Sequence, residues 1–140
     1  MPETNERDNW FTPDDLFRDI EARYGPFDID VAASEKNAKC ERFYTEGDNA
    51  LEQPWLGVAF CNPPYKDLIK WVRKAWDEVR SGRCKRAVML LPAQTSTAWF
   101  HDYALRYGHV WFIRGKRRFG GAKYNSMSAS IVVVFWPQSA

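Results

Sequence analysis

Five consecutive apolar residues, Ala87-Val88-Met89-Leu90-Leu91, place the strongest constraint on how this chain folds. A strand apolar at every position has no face to leave in water, so it predicts a sheet covered on both sides. Other strand-like runs agree: Val58-Ala59-Phe60-Cys61, Val110-Trp111-Phe112-Ile113 and Ile131-Val132-Val133-Val134-Phe135-Trp136. Phe27-Asp28-Ile29-Asp30-Val31 alternates apolar and acidic residues and reads as a short strand, and Arg42-Phe43-Tyr44 as a brief one. Helical signals lie between. Thr12 is expected as N-cap and Pro13 at the first helical position, with Asp14 and Asp15 in the first turn. Leu16, Phe17, Ile20 and Tyr24 follow at helical spacing, and Gly25-Pro26 stops the element. Residues 67–80 predict a second helix with Leu68, Val72, Ala75, Trp76 and Val79 inward, and Arg73–Asp77 and Lys74–Glu78 pairs on its exposed side. A third, capped by Thr95 or Ser96, carries Trp99, Phe100 and Tyr103 and closes at Gly108. The alternation predicts an α/β fold: three layers around a mostly parallel sheet. The last two strands have no helical pattern between them, so a C-terminal antiparallel hairpin is expected.

The Val58–Cys61 run ends in Asn62-Pro63-Pro64-Tyr65, and that turn suggests a chemistry. An exocyclic amino group is a poor nucleophile because its lone pair is delocalised into the ring. Acceptors for its hydrogens draw the lone pair out as charge develops. The Asn62 side chain and the Pro63 carbonyl supply two such acceptors. Adjacent prolines stiffen the loop, and Tyr65 offers a flat face for a planar base or amide. The bland alternative is a simple turn, which Asn and Pro favour anywhere. Ligands of open α/β sheets bind beyond the carboxyl ends of the strands. Residues 30–33, 62–65 and 92–94 would all fall on that edge, and this convergence favours methyl transfer to an amino group.

Charge divides along the chain. Residues 1–65 carry six Lys/Arg against fourteen Asp/Glu, and residues 66–140 carry fourteen against four. The basic half suits a polyanion, the acidic half a cationic or hydroxyl-rich ligand. Cys40, Cys61 and Cys84 are widely spaced, and with only two histidines no metal-ligand spacing appears, so no metal is expected. No apolar run approaches the ~20 residues of a membrane span, and the start lacks a basic-then-apolar signal. The expectation is a single domain over residues 10–137, preceded by a flexible segment 1–9, in the cytoplasm.

The chain resembles the small phage- and prophage-type DNA N6-adenine methyltransferases. The resemblance rests on Trp10-Phe11-Thr12-Pro13, on residues 27–34 (Phe-Asp-Ile-Asp-Val-Ala-Ala-Ser), on Asn62-Pro63-Pro64-Tyr65, and on Gly115 to Phe119 before the last strand. It implies an S-adenosylmethionine-dependent, Rossmann-like enzyme of a phage or prophage acting in the bacterial host cell. It also implies direct in-line transfer to the N6 amino group of an adenine flipped out of double-stranded DNA. On matching positions, Trp10, Thr12 and Pro13 would line the cofactor's methionine side and Asp30 would be the acid near it. Ala32 and Ala33 would permit its close approach, and Asp48 would contact the adenosine. Asn62, Pro63, Pro64 and Tyr65 would be the catalytic set. The basic loop from Arg114 onward would meet DNA through Lys116, Arg117, Arg118, Phe119, Lys123, Tyr124 and Asn125. A homodimer would enlarge that surface. Many methyltransferases carry a Gly-rich loop after the first strand, whereas this chain has Val31-Ala32-Ala33-Ser34. That departure keeps a non-catalytic DNA-binding module open as an alternative, beside amino-methyltransferases of RNA or of protein glutamine.

Overall fold

A computed structural model describes residues 7, 10–115, 120–121 and 129–138. Five strands form one sheet in the order β2-β3-β4-β7-β5: β2 (Ile29–Asp30), β3 (Gly57–Cys61), β4 (Cys84–Pro92), β5 (His109–Phe112) and β7 (Ser130–Phe135). The pairs β2–β3 and β3–β4 are parallel, and β7 runs antiparallel between β4 and β5. Four strands therefore share one direction. Arg42 to Tyr44 runs along the open edge of β2, where Asp30 N donates to Arg42 O and Tyr44 N to Asp30 O.

Strand periodicity sorts the core into two sets. Phe60, Val88, Leu90, Val132 and Val134 meet Leu16 and Ile20 of helix α1 (Asp14–Tyr24). The alternate residues, Ala59, Cys61, Ala87, Met89, Leu91, Ile131, Val133 and Phe135, meet helix α2 (Leu68–Arg80). Leu68, Trp71, Val72, Ala75, Trp76 and Val79 are all buried on α2. Each such large side chain contributes about 1.5–3 kcal/mol of transfer free energy. The fully buried β4 and β7 account for the apolar runs that predicted a covered sheet.

Several local expectations give way to tertiary contacts. Helix α1 begins at Asp14 with Pro13 as its N-cap, because the Thr12 side chain is engaged elsewhere. Strand β2 is only two residues long, since Asp28 turns its carboxylate onto Val58 N at 2.8 Å. Gly57 starts β3 at φ +81°, and a Cβ there would run into that carboxylate. The third helix starts after Thr97 rather than at Thr95 or Ser96; Thr97 Oγ1 donates to Gln94 O. It contains a π-helical turn at Phe100–Ala104 and ends in α3 (Leu105–Tyr107). Strands β5 and β7 are antiparallel neighbours, but the chain between them includes β6 (Gly120–Gly121), which pairs with β1 (Trp10–Phe11) in a separate two-stranded sheet.

Glu78 departs furthest from its expected place. It is 1% exposed rather than on the solvent face of α2. Its carboxylate accepts from Trp55 N at 2.7 Å and Arg83 Nε at 2.8 Å, with Lys74 Nζ at 3.5 Å. Burial alone would raise its pKa, but the hydrogen bonds from Arg83 and Trp55 hold it below the usual carboxylate value. Arg73, expected to pair with Asp77, instead donates to the Tyr103 hydroxyl, and Asp77 pairs with Arg80. Replacing Glu78 with Ala leaves the buried Trp55 N–H without its acceptor. It should cost about 1–3 kcal/mol in a urea titration, and an unchanged midpoint would refute this role.

Candidate active site

Strand β3 delivers Asn62 to the carboxyl edge of the sheet. Continuing the alternation from Phe60, Asn62 turns toward the α1 side and is 4% exposed. Its Nδ2 donates to Thr12 Oγ1 at 2.9 Å, joining residues fifty positions apart. Fixing the amide nitrogen also fixes the direction of its oxygen, the acceptor end of the group. The Pro63-Pro64 turn follows. Tyr65 is half-buried and packs against both core sets.

Asp30 ends β2 on the same edge and is 3% exposed. Its Oδ1 accepts from Ala32 N at 3.3 Å and its Oδ2 from Lys39 N at 3.0 Å. Burial pushes its carboxyl up to about 6, with the backbone hydrogen bonds from Lys39 and Ala32 opposing. Asp28, the alternative acid just ahead of that strand, is committed to Val58 N. The Ala32-Ala33 loop turns without positive φ: among the described residues, only Asn49 and Asp67 outside glycine have it. Glycine is thus unnecessary here, and the small side chains keep the approach open.

Thr12, Asp30, Ala32, Ala33 and Asn62 line one narrow cavity of ≈ 10 Å³, roofed in part by Arg7 and Lys39. Beyond Arg7 lies a second of ≈ 250 Å³, lined by Glu46, Leu51, Pro64, Lys66, Asp67, Lys70 and Trp71 with Arg7. Sequence reasoning thus gathered five residues of one cavity. It missed Arg7, Glu46, Leu51 and Trp71; only the surplus of tryptophans hinted at the last. Asp48 stands apart from the cavity walls, its carboxylate accepting from Thr45 N at 2.8 Å and from Thr45 Oγ1 at 3.1 Å. Pro13 caps α1. Trp10 contributes backbone to β1, and its side chain lies outside the description. Lys116, Arg117, Arg118, Phe119, Lys123, Tyr124 and Asn125 fall outside the described residues.

A family model described as DNA N-6-adenine-methyltransferase (Dam) matches residues 2–137. The chain belongs to this family. Among the Dam-family relatives, the DNA N-6-adenine-methyltransferase of Escherichia phage T1 is 42% identical over 99 residues, which cover 69% of this chain and 40% of the phage protein. The protein of the same name from Haemophilus phage HP1 is 35% identical over 98 residues, 69% of this chain and 56% of its own length. The matched region therefore spans between two fifths and about three fifths of these two longer relatives. Among the described residues of the Dam-family chain, no group of three or more His, Cys, Asp or Glu could hold a metal ion. No helix there is long and apolar enough to cross a membrane.

The Asp30 environment has a measurable signature. Because its folded pKa is raised from the ordinary value to about 6, its contribution to stability is complete below about pH 4 and is lost as pH rises through 6. The loss is on the order of 2–3 kcal/mol. Asp30→Asn should flatten the stability profile over that window in denaturant titrations at successive pH values. A variant with the parent's slope would show that Asp30 does not titrate there.

Proposed function

We propose that this chain transfers the methyl group of S-adenosylmethionine to the exocyclic N6 of adenine in double-stranded DNA, on a three-layer Rossmann-like frame. The observation that carries the reading is the buried Asn62 amide, pinned by Thr12 beside the Asp30 cavity at the carboxyl edge of β2 and β3. Family membership supports it, and so does the likeness to the phage DNA N-6-adenine-methyltransferases.

The donor set fits such a cofactor. A buried carboxylate, two small alanines and a neighbouring Glu46 suit a ligand bearing ammonium and hydroxyl groups, and Leu51, Pro64 and Trp71 supply apolar surface. Thr12, Asp30, Ala32 and Ala33 would hold its amino-acid end. When bound, the cofactor would supply an electrophilic methyl group on a sulfonium. The chain's own contribution is orientation and electrostatics. Asn62 Oδ1 and the Pro63 carbonyl accept from the N6 hydrogens and draw the lone pair toward the reacting carbon. Tyr65 stacks on the base, which leaves the duplex at a cost of about a few kcal/mol. No general base is required, because the methylated amine is acidic enough to release its proton to water.

Residues 116–125 are the proposed DNA-facing loop, with Lys116, Arg117, Arg118 and Lys123 on phosphates and Phe119, Tyr124 or Asn125 toward the bases. A second copy of the chain would widen that footprint. Neutralising Arg117 and Arg118 together should lower the salt dependence of DNA binding by about 1.8 in logarithmic slope. An unaltered slope would return the loop to ordinary solvated charge.

Digestion and mass spectrometry of unmethylated DNA, after incubation with the protein and S-adenosylmethionine, gives the direct test. Wild type should form N6-methyladenine, and Asn62→Ala should lose roughly 10²–10³-fold in rate while still binding the cofactor. DNA binding without any product would point instead to a non-catalytic module, and product from RNA alone to an RNA enzyme.

A further inference from the structure

Arg7 is common to the walls of the Asp30 cavity and the Trp71 cavity. Although it comes from the very start of the chain, its side chain is only 5% exposed. The guanidinium stands over the Trp71 ring, 5.2 Å from the centroid. Burial pulls its pKa down, and the Cys61 thiol with the carboxylates of Glu46, Asp30 and Asp48 acts in the opposite direction. An aromatic face and nearby acids thus replace part of the water this cation has lost. The spaces on either side are ≈ 10 Å³ and ≈ 250 Å³. Ligand pockets for drug-sized molecules run from about 300 to 1,000 Å³, so neither space alone suits a nucleoside bearing an amino-acid tail. Arg7 is the residue the two linings share, so its guanidinium is the group whose withdrawal would join them into one cleft from Asp30 to Trp71.

We propose that Arg7 gates the cofactor site, its guanidinium filling the junction until it swings out and the cofactor takes its place. The inference rests on the cofactor reading above. Asp30 and Glu46, whose charges favour the guanidinium, also line the two spaces, so the gate exchanges one positive group for another near the same carboxylates. Such a gate acts before the ligand arrives. The observed Kd is the intrinsic value divided by the open fraction, whatever the ligand. Association is slowed by that fraction, and dissociation is not. S-Adenosylmethionine, a sulfonium, and S-adenosylhomocysteine, a thioether, are weakened equally.

The test is stopped-flow tryptophan fluorescence with both ligands on the full chain and on Arg7→Gln and Arg7→Lys. Arg7→Gln should raise the association rate and tighten Kd by roughly three- to tenfold, by one factor for both ligands and with dissociation unchanged. Arg7→Lys should fall between wild type and Gln. Weaker binding in the variants would overturn the gate and make Arg7 a clamp on the ligand's carboxylate. Unchanged constants would overturn it as well. If Arg7→Gln does not fold, Arg7→Lys decides alone: faster association supports the gate, and a lower affinity with faster dissociation overturns it. Should no form bind either ligand, the cofactor reading itself fails, and the gate with it.

Discussion

The hydrogen bond from Asn62 to Thr12 ties together residues fifty positions apart at the carboxyl edge of the sheet. One partner directly follows β3 and precedes two prolines, and the other lies just ahead of α1. Through it the turn that presents the amide and the helix that covers that face of the sheet are set against each other. Its net worth is about 1 kcal/mol, but both groups are buried, so losing either one would strand a polar partner at a cost of about 1–3 kcal/mol. Helix α1 then brings Leu16 and Ile20 onto Phe60, Val88 and Val132, and the cavity beside Asp30 inherits a wall that does not move independently of the core.

Much of this was legible because burial on two faces writes a plain signal. The runs at 87–91 and 131–135 are apolar at every position for the reason the structure displays: each strand lies between two packed sets of side chains. The inward face of α2 was readable from helical spacing alone. Sequence periodicity is a local quantity, however, and it fails where a distant group bids for a side chain. Thr12 looked like a helix cap and serves Asn62 instead. Glu78 looked like a surface partner for Lys74 and is drawn inward by the Trp55 N–H and Arg83. The pairing of β1 with β6 had no local signature, since it joins Trp10 and Phe11 to two glycines more than a hundred residues further along the chain.

The acidic strand shows how equal-looking residues acquire different work. Asp28 and Asp30 share a parity and a chemistry. Asp28 sits beside Gly57, where the backbone comes close enough to claim its carboxylate for the entry into β3. Asp30 lies at the far end of the strand, beneath the Ala32 and Lys39 N–H groups, and is shut away from water there. What separates them is two residues of sequence, one before the strand and one at its end. That places one in the frame of the sheet and the other at the rim of a cavity.

The small β1–β6 sheet has a consequence for how ligands at two places are felt. Phe11 and Thr12 stand at the Asp30 cavity, and Gly120 and Gly121 lie within the stretch that carries the proposed DNA contacts. Backbone pairing joins the two stretches, so a ligand in the cavity and DNA on the proposed surface would both bear on the same four residues. Linkage requires the effect to be mutual: if an occupied cavity strengthens the grip on DNA, bound DNA strengthens the hold on the cavity's ligand by the same factor.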